Sequence, residues 1–375
     1  MRPTQGNGAD NTKRRNRYLL LATGLLVALL ALSGCAPQTP TSSESLPDVV
    51  PSATAPPSTA ATTSTESTAS PVQTSTPPPT ANAPAPATPA SPSQAAPITF
   101  AMIGDYGVND WHELAVSRLV ASWLPAFVIT AGDNYYSQAG GTGLGRYERA
   151  VGTYYAAWIK GAPTDSSAAS APRAPVNAFF PTLGNHDYTD ATPGPETYLA
   201  YFTLPGPGFT NSSGNERYYD YVEGPVHFFV LNSNPEEPDG VTATSRQAQW
   251  LQEALAASTS PWNIVYEHHP PYSSDSKHGP TTYMQWPYAA WGANAVISGH
   301  VHSYERIQRD GIAYFINGMG GEAELYTFGP PVEGSMVRYG ADWGAQKVTA
   351  TASTLDFKFY NIQGALIDDY QISKP

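Results

Sequence analysis

From residue 98 onward, short apolar runs alternate with longer mixed segments, a pattern that predicts strands interleaved with helices and loops. Five of these runs share a layout: Ile98 to Ile103, Phe127 to Thr130, Phe179 to Leu183, Asn263 to Tyr266 and Ala295 to Ile297 each close on polar residues. Two other segments predict amphipathic, peripheral helices. Between residues 109 and 124, Trp111, Leu114, Ala115, Leu119 and Trp123 fall near helical spacing, Asp110 with Glu113 resembles a capping box, and Pro125 closes the pattern. From Thr244 through Ala257, a Thr244-x-x-Gln247 start precedes an apolar face of Trp250, Leu251, Ala254 and Leu255. Gly- and Pro-rich stretches at 137–146, 161–175 and 203–215 are expected loops, either shaping a substrate entrance or ornamental. No internal repeat or heptad seam interrupts this order.

Upstream of residue 98 the pattern changes. Lys13, Arg14, Arg15 and Arg17 precede an apolar run from Tyr18 to Leu32, short for a membrane span and shaped like the core of a signal peptide. The run closes on Leu32-Ser33-Gly34-Cys35, which holds the single cysteine of the chain. This segment resembles a bacterial lipoprotein signal. The resemblance implies cleavage before Cys35, lipidation of its sulfur, and an extracytoplasmic place on a bacterial membrane, periplasmic or at the cell surface. The alternative is an ordinary signal peptide with an incidental Cys35. Residues 36–97 are almost wholly Pro, Ser, Thr and Ala, which cannot bury enough apolar surface to offset the entropy of ordering. Extended at ~3.1 Å per residue, such a tether reaches on the order of 190 Å. It is either a spacer through a cell-envelope layer, glycosylated on Ser and Thr, or a plain linker. The expected organisation is a signal at 1–34, a lipidated cysteine and disordered tether at 35–97, and a catalytic domain at 98–375.

Residues 98–375 have the mixed apolar, aromatic and charged content of one large domain or two intimately packed layers. A net charge of −12, with no Lys/Arg cluster beyond the N-terminus, argues against a nucleic-acid-binding patch. Because the only cysteine lies outside the domain, no internal disulfide can form, and core packing and metal binding must stabilise it.

The candidate chemistry sits where the five runs end. In chain order the endings are Gly104-Asp105-Tyr106-Gly107, Gly132-Asp133-Asn134-Tyr135-Tyr136, Gly184-Asn185-His186-Asp187, Glu267-His268-His269-Pro270 and Gly299-His300-Val301-His302. In sheets with crossover connections, ligands gather outside the carboxyl ends of the strands, so distant endings can converge. The glycine before four of them permits tight turns and close backbone approach. Together the endings supply a full ligand set for a metal pair.

The ordered set resembles the metallophosphoesterases, the calcineurin-like superfamily, whose motifs run Asp-x-His or Asp-x-Gly, Gly-Asp, Gly-Asn-His, a lone His and Gly-His-x-His. The resemblance covers most of residues 98–375, including 299–306 and the closing strands between Phe357 and Ile372. It implies an α/β layered fold: two mixed β-sheets packed as a sandwich, flanked by helices, with the metal site at strand C-terminal ends. Within the superfamily, Gly107 stands where phosphodiesterases usually place a metal-binding His, and Tyr136 follows Asp133 by three residues. That combination, with Val265-x-x-His268, is similar to the purple acid phosphatases.

The resemblance to the purple acid phosphatases implies that Asp105, Tyr136 and His302 bind Fe(III), that Asn185, His268 and His300 bind a divalent Fe, Zn or Mn ion, and that Asp133 bridges. Tyr136, as a phenolate, would fill the place of the missing His and give a purple charge-transfer colour. His186 should face the substrate phosphate as hydrogen-bond donor or general acid. His278, ten residues after His268, has a spacing similar to a substrate-facing His in plant-like members. Lys277 occupies a place where some members have a second His, which leaves the identity of the acid open. His112, His227 and His269 read as structural or supporting residues. Asp187 is either partner to a ligand or a loop cap, and Tyr106 either lines the site or belongs to the core. The implied activity is hydrolysis of phosphate monoesters, on small molecules or phosphoproteins, by a metal-bound hydroxide. A phosphodiesterase or nucleotidase of the same fold, and a non-catalytic metal-binding surface lipoprotein, are the alternatives.

Overall fold

The computed structural model describes residues 96–161, 172–190 and 194–374. The expected signal, Cys35 and nearly all of the tether lie outside the described residues, as does most of the 161–175 stretch.

The strands are β1 (Ile98–Ile103), β2 (Phe127–Thr130), β3 (Phe179–Pro181), β4 (Tyr219–Glu223), β5 (Val226–Val230), β6 (Trp262–Tyr266), β7 (Ala295–Ser298), β8 (Tyr304–Arg309), β9 (Ile312–Asn317), β10 (Ser335–Tyr339), β11 (Gly344–Ala350), β12 (Thr354–Asn361) and β13 (Leu366–Ser373). They form two mixed sheets, ordered β13-β12-β11-β1-β2-β3 and β10-β8-β9-β7-β6-β5-β4. Strands β1, β2 and β3 run parallel, as do β5, β6, β7 and β9. The sequence shows why. Every residue of β2, β3, β7 and β9 is buried, and parallel strands covered on both faces demand continuous apolar runs. Strand β12 is antiparallel to both neighbours and alternates buried with half-buried positions, as a strand with one wet face should.

The sheets pack face to face through aromatic rings. Phe100 of β1 stacks on Phe127 of β2 at 4.9 Å and meets Phe228 of β5 edge-on at 5.2 Å. Toward the other side, Phe315 of β9 stacks on Phe357 of β12 at 4.5 Å, and Tyr304 of β8 on Phe359 at 4.1 Å. An ion pair also crosses between the sheets: Arg306 of β8 donates to Asp368 of β13 through Nε at 2.7 Å and Nη2 at 3.1 Å.

Both expected helices form, with differences at their starts. The first spans Trp111–Ser122, and Asp110 caps it by accepting from the backbone N–H groups of His112 and Glu113. Glu113 reaches back one residue further than a capping box requires, accepting from Asn109 N at 2.7 Å. That bond turns Glu113 inward, so the buried positions are Glu113, Val116, Ser117 and Val120, while Trp111 is 59% exposed. The expected apolar face is therefore rotated, because Trp111 lies across Trp343 at 5.3 Å rather than entering the core. The second helix spans Arg246–Ala257, capped by Ser245 rather than Thr244. Gln247 is buried instead of capping, since it accepts from Asn232 N and donates to the carbonyls of Asn232 and Gly240.

Candidate metal centre

All five run endings meet where β1, β2 and β3 of one sheet and β6 and β7 of the other terminate. Close backbone approach makes this possible. A Cβ on Gly184 would lie 2.1 Å from Asp133 Oδ1, and one on Gly299 would lie 2.5 Å from Asp105 Oδ2. Three residues of the site, Asp105, Asp133 and His300, hold left-handed backbone with φ of 56°, 52° and 67°. Such conformations cost on the order of 1–3 kcal/mol each and persist only where surrounding bonds impose them. Here His300 N donates to Asp105 Oδ2 at 2.9 Å, His186 N to Asp133 Oδ1 at 2.9 Å, and Asp105 N to Gly132 O at 3.1 Å.

The candidate ligands fall into two groups sharing one carboxylate. In the first, the Tyr136 hydroxyl lies 3.4 Å from Asp105 Oδ1 and 3.4 Å from His302 Nε2, and His302 Nε2 lies 3.5 Å from Asp105 Oδ1. In the second, Asn185 Oδ1 lies 3.0 Å from His268 Nε2 and 2.9 Å from His300 Nδ1. Asp133 Oδ2 touches both, 3.0 Å from the Tyr136 hydroxyl and 3.4 Å from His268 Nε2.

Gly107 and Tyr136 are linked physically. A Cβ at 107 would lie 2.1 Å from the Asn134 carbonyl oxygen, so this backbone admits no side chain there. The loop that excludes it delivers Tyr136 instead, fastened by Tyr136 N donating to Gly107 O at 2.8 Å.

The donor chemistry fits bound cations. His268 Nδ1 faces the Ala131 carbonyl at 2.7 Å and His302 Nδ1 the Glu324 carbonyl at 2.8 Å, which assigns each ring's proton to Nδ1. Each Nε2 then turns a lone pair toward other acceptors, Asn185 and Asp133 for one ring, Asp105 for the other. Acceptors this close repel unless positive charge lies between them. Without a metal, protons answer the same demand. Burial disfavours charge on His268, yet Asp133 overrides it and lifts its pKa to about 9. Burial likewise opposes ionisation of Asp133, but His268 and His186 hold its carboxyl well below the usual carboxylate range. Burial, reinforced by Asp133 and Asp105, pushes the Tyr136 phenol well above its ordinary value of 10, so the phenolate requires an adjacent cation.

The two candidate catalytic histidines flank a cavity of about 210 Å³ that opens onto this ligand set, together with Lys277 and Tyr326. The His186 ring lies 4.3 Å from the Tyr136 ring. Asp190 Oδ2 is 3.0 Å from His186 Nδ1, out of line for a hydrogen bond. His278 stands opposite, its ring 4.5 Å from His300, and burial lowers its pKa.

Asp187 is a ligand-side support: it accepts from Gly184 N at 2.8 Å, Asn134 Nδ2 at 2.9 Å and the Tyr147 hydroxyl at 2.8 Å. Tyr106 is buried in the core and donates to Asn134 Oδ1 at 2.7 Å. His227 lies elsewhere, between Asp220 and Ser258 at 2.9 and 3.0 Å. His112 packs on Trp343 at 4.0 Å. His269 follows β6, which ends at Tyr266, and its ring lies 4.4 Å from that of His300 with Nδ1 on Ser233 Oγ at 2.9 Å. Tyr326, stacked on His302 at 4.1 Å, went unanticipated. A sixth apolar run, Ile312 to Ile316, leads through Asn317 to another close-packed glycine, since a Cβ on Gly318 would lie 2.8 Å from Asp105 Oδ2.

A family model described as calcineurin-like phosphoesterase matches residues 99–304. Purple acid phosphatase 23 of Arabidopsis thaliana is 26% identical over 238 residues, covering 57% of this chain and 49% of the relative. Purple acid phosphatase 1 of Ipomoea batatas is 34% identical over 152 residues, covering 36% of this chain and 30% of the relative. This chain therefore spans about half or less of the length of the curated relatives it matches. Among solved structures, a purple acid phosphatase from yellow lupin (Lupinus luteus) seeds shares the fold, with a TM-score of 0.58 at 18% identity over 76% of this chain and 55% of that one. The matched segment runs from β1 to the start of β8 and holds all seven candidate ligands, and this chain belongs to the calcineurin-like phosphoesterase family.

Proposed function

We propose that this domain hydrolyses phosphate monoesters at a binuclear metal centre. The observation that carries the reading is Asp133, a single carboxylate reaching two donor groups at 3.0 and 3.4 Å. Asp105, Tyr136 and His302 would hold Fe(III), favoured by a hard phenolate oxygen, while Asn185, His268 and His300 would hold divalent Fe, Zn or Mn. A metal pair held by these residues would polarise a phosphoryl oxygen and lower the pKa of water enough to supply a nucleophile near neutral pH. The chain's own residues then do the remaining work. The backbone carbonyls of Ala131 and Glu324 fix the rings of His268 and His302. His186 and His278, which both line the cavity, would face a phosphoryl group bound there, and an imidazole so placed can donate to its oxygens or hand a proton to the leaving alcohol.

The substrates proposed are phosphorylated small molecules or phosphoproteins. Residues 13–35 support placing the domain outside the cytoplasm, held to a bacterial membrane by a lipid on Cys35 with residues 36–97 as tether. Labelled fatty acid should enter the wild type and not Cys35→Ala; equal labelling of both would remove the anchor.

Metal analysis alongside p-nitrophenyl phosphate and bis(p-nitrophenyl) phosphate tests the activity. The expected result is two metal ions per chain, visible absorption and turnover of the monoester. Turnover confined to the diester overturns the monoester reading, and a colourless, iron-free, active protein overturns the ferric assignment.

A further inference from the structure

The catalytic cavity contains one charged group that the metal chemistry does not use. Lys277 is the only Lys or Arg among the described residues lining it. Its position is built rather than incidental: Asp275 Oδ1 accepts from both Lys277 N at 2.9 Å and His278 N at 2.6 Å, pinning the turn that presents the two side chains together. The Lys277 ammonium lies 4.0 Å over the Tyr326 ring, and that ring stacks on His302 at 4.1 Å. The cation is thus referenced to the metal-binding half of the site through one aromatic layer.

Its present partner is Glu324, at 2.8 Å between Nζ and Oε2, with side chains 44% and 65% exposed. A solvated pair of this kind is weak and yields readily to a stronger anion. Glu324 has two separable jobs. Its backbone carbonyl orients His302, and its side chain occupies the Lys277 ammonium.

We infer that Lys277 reads the charge of the substrate's terminal phosphate, and that the Glu324 side chain holds it in reserve until such an anion enters. The inference rests on the phosphatase reading and narrows it to doubly ionised monoesters. Lys277 lines the same cavity of about 210 Å³ as Asp133, Asn185, His300 and His302, so it stands beside the place a phosphate held by those residues would take, and selection can fall on the phosphate itself. A monoester dianion offers a free ionised oxygen to Lys277 after satisfying the metal side. A diester has one charge fewer and carries an ester substituent where that oxygen would be. Attraction by a fixed ammonium therefore discriminates between the two.

The test uses the metal-loaded protein, its Lys277→Met, Lys277→Arg and Glu324→Gln variants, both nitrophenyl esters, and calorimetric titration with inorganic phosphate. Loss of a charge-assisted hydrogen bond should raise KM for the monoester, and Kd for phosphate, about tenfold in Lys277→Met. The diester KM should move less than about twofold, and Lys277→Arg should recover most of the loss. Freed from its competitor, Lys277 in Glu324→Gln should bind phosphate about twofold tighter. Equal losses on both esters, an unchanged phosphate Kd in Lys277→Met, or weaker phosphate binding in Glu324→Gln would each overturn the assignment. Should the wild type hydrolyse neither ester, the phosphatase reading fails by itself, and the phosphate titration still decides for or against Lys277.

Discussion

Gly184→Ala should disable the centre without unfolding the domain. The new methyl would lie 2.1 Å from Asp133 Oδ1 and 2.2 Å from Asp133 N, whereas ordinary contact begins at 3.4 Å. One segment must therefore retreat by about 3.4 − 2.1 = 1.3 Å. Neither can do so freely. Asp133 Oδ1 accepts from His186 N at 2.9 Å, and Gly184 N is held by Asp187 Oδ2 at 2.8 Å. The displacement separates the Asp133 carboxylate from Asn185 and His186. A misplacement of roughly 1 Å costs on the order of 100-fold in rate, about 2.7 kcal/mol of barrier. Overpacking itself costs about 1–3 kcal/mol of stability, so assays belong well below the melting transition. The measurements are kcat/KM on p-nitrophenyl phosphate, metal content, and Tm after chelation. Gly145→Ala, where a Cβ meets nothing within 4 Å, is the control expected to behave as wild type. A Gly184→Ala protein with full metal content and kcat/KM within threefold of wild type would refute the close-approach argument.

Three further outcomes are expected. Tyr136→Phe should lose the visible absorption and part of its metal, while its Tm after chelation stays close to wild type because only the hydroxyl is removed; a retained band would exclude phenolate ligation. Arg306→Met leaves the buried Asp368 carboxylate without its cation, the Tyr304 hydroxyl still donating to it at 2.8 Å, and should cost about 3 kcal/mol, a melting drop of roughly 6–12 °C that is the same with and without metal. Glu113 sets a pH dependence: burial pushes its pKa well above 4.5 despite the bond from Asn109 N. Its unfolded form ionises first, so the stability it contributes is complete below about pH 4.5 and is lost as pH rises through the native value. Glu113→Gln removes that loss, so the Tm difference, variant minus wild type, should grow in favour of the variant as pH rises above that point; a pH-independent difference would contradict it.

The convergence of the candidate ligands was legible because they stand directly after apolar runs, and chain order alone then brings them to strand ends. The division between sheets was not. The runs that become β1 and β2 look the same as those that become β6 and β7, because strands buried on both faces have the same composition whichever sheet they join. The helix beginning at Trp111 was found but rotated, because one polar bond from Asn109 N to Glu113 outweighed the apolar spacing that Trp111 and Leu114 suggested. Tyr326 and Glu324 follow a glycine-rich turn with no donor pattern to announce them, and only the stacking on His302 reveals their place.

The origin of the ligands has a mechanical consequence. Asp105, Asp133, Tyr136 and Asn185 belong to one sheet's strand ends, and His268, His300 and His302 to the other's. Bound metal would therefore rivet the two halves of the sandwich together in a domain whose chain has no cysteine pair to do so. Its binding free energy adds to the stability of the fold and opposes the left-handed strain at Asp105, Asp133 and His300. For such a molecule a chelator is more than an inhibitor: it removes the fastener, and losing the ions brings the domain nearer to unfolding.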